Sequence, residues 1–278
     1  MVSRNSGKFV LMTALALLAF AGNSILTRWG LLDGAMDPGL FALIRLIAGA
    51  ICLWTLLVLR VQATRPAPTA TGSLTLLIYA LGFSYAYVTL DTGAGALILF
   101  GVVQITLFAW ALRCGESVPM MHYVGAVFAF AGLVILFWPQ PGTTVPIGGF
   151  ILMATAGVAW GLYTALGKGA GDATVKTANN FLGAAVCAIP VLVLSSSMMS
   201  AKGVSLAIAS GAITSGLGYA AWYTVLPHLR SSLAAILQLT VPIIAAVGGI
   251  VLFGETLTVP FAVAAVLVIG GTVLAIRG

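Results

Sequence analysis

The sequence is short of charge. Of its 278 residues only 6% are Asp, Glu, Lys or Arg and 61% are hydrophobic, whereas a soluble domain needs roughly a quarter of its residues charged to hold its surface in water. That shortage excludes an ordinary water-soluble domain. No hydrophilic segment is long enough for a separate domain, so the chain, residues 1–278, reads as one membrane domain with short loops and no soluble catalytic lobe. Histidine is scarce as well. His122 and His228 fall at the ends of apolar runs, and no HExxH, GxSxG or phosphate-loop pattern occurs, so no enzyme site assembles. Cys52, Cys114 and Cys187 are odd in number and widely spaced, which disfavours a disulfide framework or a metal site and leaves them as small hydrophobes. Lys and Arg number twelve against six acidic residues, a formal charge of +6, yet they stand singly between apolar runs. Scattered cations do not make a nucleic-acid surface.

What the chain has is long apolar stretches. Residues 93–116, GAGALILFGVVQITLFAWALRCGE, carry no charge before Arg113, and at about 1.5 Å per residue such a helix crosses a hydrocarbon core of about 30 Å. Ten runs of spanning length can be read: 9–31, 40–59, 72–90, 93–112, 120–138, 147–167, 175–195, 206–226, 233–253 and 259–276. The first follows Arg4 and Lys8 but is too long for a signal peptide and lacks a cleavage site, so it is expected to remain as a span. Turn residues part most runs: Asp33-Gly34, Asp37-Pro38, Pro66 with Pro68, Pro139 with Pro141 and Pro146, and residues 167–171. Only Asp91-Thr92-Gly93 separates the third run from the fourth.

Residues 233–255 repeat the ending of 93–116, since 255 − 116 = 139, and the same offset aligns Gly22 with Gly161, Gly115 with Gly254 and Gly132 with Gly271. The chain therefore divides into halves of approximately 1–140 and 146–278. With the amino terminus inside, Arg4, Lys8, Arg60, Arg65, Arg113, Lys168, Lys176, Arg230 and Arg277 lie inside, nine residues, against Arg28 and Lys202 outside. This bias places both termini in the cytoplasm. Five spans per half, an odd number, make the halves inverted, so Glu116 falls inside and Glu255 outside. An inverted repeat gives two similar states open to opposite sides, which is a transporter's architecture. The fold class expected is all-α integral membrane, with ten transmembrane helices as two inverted five-helix repeats around a central cavity.

Arg45 is the one charge well inside a run. A cation there is costly; it either holds an anionic group such as a substrate carboxylate, or pairs with Asp37 or Asp91, or snorkels to the outer surface. Asn23, Gln104, Asn179, Asn180 and Gln238 are neutral polar groups suited to interhelical hydrogen bonds or to lining a cavity. Tyr79, Phe83 and Tyr87 recur every four residues on the third run, with Tyr219, Trp222 and Tyr223 on the matching eighth and Trp160 and Tyr163 on the sixth. Tyr79, Phe83, Trp160, Tyr163 and Trp222 are candidates for cavity walls, whereas Tyr87, Tyr223, Trp138 and Trp29 near run ends suit interfacial belts. Pro242 should kink the ninth run, with Gly101 close to the equivalent point in the first half, so both are hinge candidates. Gly93-Ala94-Gly95 is a fragment of a dinucleotide fingerprint in an apolar run, which suits a close helix contact better.

On residues 239–258 (LTVPIIAAVGGIVLFGETLT), Ala159-Trp160-Gly161-Leu162-Tyr163 and Ile269-Gly270-Gly271-Thr272-Val273-Leu274-Ala275, the chain resembles the drug/metabolite transporter superfamily in its ten-span EamA-type form. The likeness runs over essentially the whole chain. The first half departs from it, with Asn23 after Gly22 and with Val103 in place of the proline. The resemblance implies secondary transport through a cavity between the halves, commonly export of amino acids or other metabolites. In length and aromatic spans the chain is similar to amino-acid exporters of YddG type. Amino acids, aromatic ones included, are the expected substrates and multidrug or lipophilic-cation export the alternative. A structural membrane protein with a dry bundle and a channel are less favoured, the latter for want of a ring of filter residues. No cofactor, metal or nucleic acid is implied. The expected partners are a small-molecule substrate and membrane lipid, with the monomer sufficient and the cytoplasmic (inner) membrane its location.

Overall fold

The computed structural model describes residues 6–60, 65–115, 119–138, 146–167, 172–195, 198–228 and 237–277. Arg4, Glu116, Pro139, Pro141, Lys168 and Arg230, used above for turns and topology, lie outside the described residues. Each apolar run contains a helix among the described residues: α1 (Ser6–Leu31), α2 (Pro38–Leu59), α3 (Ala70–Ala86), α4 (Thr92–Arg113), α5 (Met120–Phe137), α6 (Ile147–Gly167), α7 (Ala173–Ala188), α8 (Ala201–Val225), α9 (Thr240–Phe253) and α10 (Val259–Arg277). Six of these, α1, α2, α4, α6, α7 and α8, are long and apolar enough to cross a membrane by length and composition, with α7 counted on to Val193. The other four are apolar but shorter. Among the described residues no strand forms, only a bridge between Met36 and Met199.

Local chemistry fixes the helix ends. Asp37 caps α2 by accepting from the N–H groups of Gly39 (2.8 Å) and Leu40 (3.1 Å), with Pro38 at the first helical position, where its missing N–H costs nothing. Asp172 does the same for α7 through Thr174 N–H at 2.7 Å. Gly115 and Gly254 follow the last turns of α4 and α9 with φ of 71° and 67°, left-handed conformations that favour glycine. These are the two glycines aligned by the 139-residue offset.

The principal packings form matched sets when each helix is exchanged with the one five places away. Helix α1 packs on α8 and α9 as α6 packs on α3 and α4, and α2 packs on α8 as α7 packs on α3. Helices α2 with α7, α4 with α9, and α5 with α10 close the pattern. The α5–α10 pair is antiparallel and reciprocal. A Cβ at Gly125 would meet the Gly271 carbonyl oxygen and one at Gly271 that of Gly125, while one at Gly132 would meet the Ala264 carbonyl oxygen. Small residues thus let the two backbones touch. Gly93 and Gly95 are likewise closed against Ala246 and the Tyr87 ring.

The bundle is inside-out in polarity. Ile51, Val127, Phe130, Ile151, Val251 and Val266 are exposed, whereas Asn23, Thr27, Arg45, Ser210, Thr214 and Ser215 are buried. Contacts also sort the two ends. Arg28, Lys202 and Glu255 gather at one end, where Lys202 lies over the Trp29 ring. Phe9 meets His228 at the other, the end reached by the starts of α1, α3 and α7 and the ends of α2 and α4. Lys8, Arg60, Arg65, Arg113 and Lys176 belong to this second end.

Candidate functional site

Two hollows bear on the site. The larger, about 610 Å³, is an open groove at the Glu255 end, bordered by Asp91, Trp138, Glu255, Thr258 and Phe261. The smaller, about 70 Å³, lies within the bundle, between Phe20, Asn23 and Ser24 of α1, Tyr79 and Phe83 of α3, Leu99 and Phe100 of α4, Trp160 and Thr164 of α6, and Thr214, Tyr219, Trp222 and Tyr223 of α8, with Leu226 and Gln238. The smaller one is the candidate site, because the buried polar groups converge on it. Its volume is far below the 300–1,000 Å³ of typical ligand pockets, so admitting more than a few waters requires the helices to part.

One hydrogen-bond network crosses its wall. Asn23 Nδ2 donates to the Tyr79 hydroxyl at 3.2 Å, and Asn23 Oδ1 accepts from Ser210 Oγ at 2.7 Å and from Thr214 Oγ1 at 3.3 Å. Arg45 Nη2 donates to the same Tyr79 oxygen at 2.9 Å, and Arg45 Nε donates to Ser215 Oγ at 3.3 Å. The guanidinium also lies 5.0 Å from the centroids of both the Tyr79 and Phe83 rings. Arg45 is only 1% exposed, and its Nη1 is buried with no hydrogen-bond partner. No carboxylate pairs with it among the described residues. Asp91 instead pairs with Arg28, and Asp37 caps α2, so neither of the ion pairs considered for Arg45 forms. Snorkelling does not occur either. Because Tyr79 oxygen already accepts from two donors, its own proton is left for a further acceptor. A buried cation, a polarised hydroxyl and an unpartnered Nη1 amino group thus make an electropositive patch behind an aromatic wall.

The wall itself is continuous. Trp160 stands 4.9 Å from Tyr79, 5.1 Å from Tyr219 and 5.4 Å from Tyr163, by ring centroids, and Phe20 packs on Tyr219 and Trp222 at 5.8 and 5.7 Å. Tyr79, Phe83, Trp160, Trp222, Asn23 and Gln238 border the cavity. Tyr163 is placed behind Trp160, its hydroxyl 3.5 Å from Thr177 Oγ1. Gln104 borders neither hollow. Asn179 and Asn180 hold the segment before α3, accepting from Ala67 N–H and Thr69 N–H, each at 3.2 Å. Tyr87 is fully buried against Gly95 rather than in an interfacial belt, while Trp29 and Trp138 are exposed. Helix α4 runs unbroken through Gly101. Pro242 sits in the first turn of α9, after a break at Leu239, and Thr240 Oγ1 donates to the Leu237 carbonyl across that break at 2.7 Å.

Sequence reasoning missed Phe20, Tyr219 and the hydroxyls of Ser210, Thr214 and Ser215 as members of this site. The last three lie on a π-helical stretch of α8, Ser210–Leu217, and such stretches gather at functional sites. Their four-residue spacing from Ser210 to Thr214 in an apolar run was the available signal.

An all-helical bundle with a lipid-suited exterior and a polar cluster at its centre defines a multi-pass membrane protein. Residues 147–277 match the EamA-like transporter family. An uncharacterized protein of Pseudomonas aeruginosa is 45% identical over 268 residues, 95% of this chain and 93% of its own. An uncharacterized transporter of Archaeoglobus fulgidus is 27% identical over 87% of this chain and 88% of its own, and one of Bacillus subtilis 27% identical over 56% and 54%. A solved crystal structure shares the fold with a TM-score of 0.69 at 18% identity, over 97% of both chains. Through residues 147–277 the chain is of the EamA-like transporter family.

Proposed function

We propose that the protein is a secondary transporter exporting small metabolites, amino acids including aromatic ones foremost, by alternating access between two inverted five-helix halves. The observation that carries the reading is the guanidinium of Arg45, buried behind the Tyr79 hydroxyl in an aromatic wall with no carboxylate partner among the described residues. Such a patch attracts a carboxylate, and the faces of Trp160, Tyr219 and Trp222 suit an ammonium or an apolar side chain. The inverted arrangement is supported by the reciprocal α5–α10 contact. Gly125 meets Gly271 and Gly132 meets Ala264, and with the offset of 139 these are one contact made twice about a two-fold axis perpendicular to the helices. The basic residues favour a cytoplasmic placement of the end that carries Lys8, Arg60, Arg65, Arg113 and Lys176. Ten spans with both termini in the cytoplasm of a cell with an inner membrane follow from the same reading.

Lipophilic cations are the competing substrates, since aromatic walls bind them too; Arg45 counts against them. Cells loaded with amino-acid dipeptides, with and without the protein, decide the matter. Expression should lower intracellular accumulation of at least one amino acid. No relief for any amino acid, together with resistance to lipophilic cations, overturns the amino-acid reading. Transport in liposomes with and without an imposed pH gradient separates proton exchange from facilitated export.

A further inference from the structure

Three charged side chains meet at the end of the bundle where α3 gives way to α4. Arg28, near the end of α1, donates from Nη1 to the carbonyls of Tyr87 (2.9 Å) and Val88 (3.1 Å). Its Nη2 lies 3.9 Å from Asp91 Oδ1 and its Nε 3.7 Å from Glu255 Oε1. The latter is an ion pair rather than a hydrogen bond, for Nε has no hydrogen-bond partner. Glu255 then reaches across to α4: Oε1 accepts from Thr92 Oγ1 at 2.8 Å, and both carboxylate oxygens lie 2.9 Å from Thr92 N. Asp91, the residue in the N-cap position of α4, makes no side-chain cap bond. The cap of α4 is therefore supplied by a residue 163 positions away, at the end of α9. Gly254 turns the chain there in the left-handed conformation, and Gly249 leaves the space the carboxylate occupies. The Glu255 side chain is 11% exposed against 58% for Asp91, so it is held within the protein.

These contacts sit directly above the cavity. Arg28 follows Asn23 on α1 and Tyr87 follows Phe83 on α3 by five and four residues, about 6–8 Å along each helix. Thr164, Leu226 and Gln238, at the other extremity of the cavity, come from helix ends that carry no such cluster among the described residues. Resting on the two-state transport reading above, we propose that Glu255 is the latch of the gate at this end: the path opens there only when its carboxylate leaves Thr92 and Arg28. All of the groups released lie at an aqueous end of the bundle, where water replaces the lost partners, so the latch is reversible.

The test uses the full-length chain with Cys52→Ala, Cys114→Ser and Cys187→Ser, and Ser24→Cys as reporter, since Ser24 borders the cavity and is 1% exposed. A membrane-impermeant maleimide is added to either side of oriented vesicles. With Glu255 intact the reporter thiol reacts slowly from the Glu255 side. Glu255→Ala should raise that rate at least tenfold, and Glu255→Gln, which keeps an oxygen for Thr92 but loses the attraction to Arg28, should fall between. A Glu255→Ala rate within twofold of the parent, in protein that remains monodisperse, overturns the proposal. Should Glu255→Ala not fold, Glu255→Gln and Thr92→Val decide by the same criterion. Faster labelling without amino-acid export keeps the latch and removes the substrate reading; export with unchanged labelling does the opposite.

Discussion

Replacing Arg45 by Met keeps a long unbranched side chain and removes the charge, and the structure supplies the terms of the outcome. An arginine at mid-helix depth costs about 2.5–3.5 kcal/mol relative to an apolar residue on insertion scales. Against that stand hydrogen bonds to Tyr79 at 2.9 Å and Ser215 at 3.3 Å and two ring contacts at 5.0 Å. Interhelical hydrogen bonds in membranes average about 0.6 kcal/mol and a cation over a ring contributes about 0.5–1 kcal/mol, which together return about 2–3 kcal/mol. The two sides nearly cancel. Arg45→Met should therefore move folding stability by no more than about 1 kcal/mol, about 2–4 °C in Tm on the scale of a large domain. Transport should respond quite differently. Loss of a charge-assisted contact of about 1.5–3 kcal/mol corresponds to a KM for a carboxylate-bearing substrate about 10- to 150-fold higher. Melting of the purified variant in detergent and initial rates in liposomes give the two numbers. A Tm lowered by more than about 10 °C, with an unchanged KM in the protein that still folds, would mean that Arg45 is a structural staple and would refute the reasoning.

Two further outcomes are expected. Gly271→Leu forces side-chain atoms into the Gly125 backbone and should destabilise by about 1–3 kcal/mol or more, read as a lower Tm; an unaltered Tm removes the close α5–α10 contact. Pro242→Ala restores the N–H that would bond the Gln238 carbonyl and so extends α9 backwards across the break at Leu239, slowing transport while leaving expression intact. Equal transport rates would reduce Pro242 to a helix-start residue.

The helices were legible because each is an uninterrupted apolar run bounded by residues that cannot continue it, as with Asp37-Pro38 at α2 and Gly254 after α9. Which side of each helix faces inward was not. In a lipid-suited bundle the exterior is as apolar as the interior, so the periodic contrast that marks a soluble helix fades. Only polar or aromatic residues leave a trace, which is why Asn23, Arg45, Tyr79 and Trp160 were singled out, whereas Phe20 was not distinguishable from a lipid-facing residue. Tyr87 was assigned to a belt by its position near a run end, yet Gly95 eight residues on opens a pocket for its ring. The partners of Arg28 were hidden for another reason. Glu255 meets Thr92 across 163 residues, a distance over which single-sequence spacing carries no signal. The 139-residue offset did point to matched helix ends, and Gly115 and Gly254 both adopt the left-handed conformation.

The wide winding of α8 has a consequence for how its residues find their direction. A π turn bonds i to i+5 and so accommodates more chain than a regular turn does, while each residue of an ordinary helix advances the side-chain direction by about 100°. Everything after Ser210–Leu217, including Tyr219 and Trp222, is therefore out of phase with the heading set by residues 201–209. Winding the same eight residues as a regular helix would swing both rings about 100° away from Phe20 and Trp160, whereas removing one residue as the stretch became regular would leave their heading nearly unchanged. The aromatic enclosure thus depends on the winding of a segment that contributes no aromatic residue of its own.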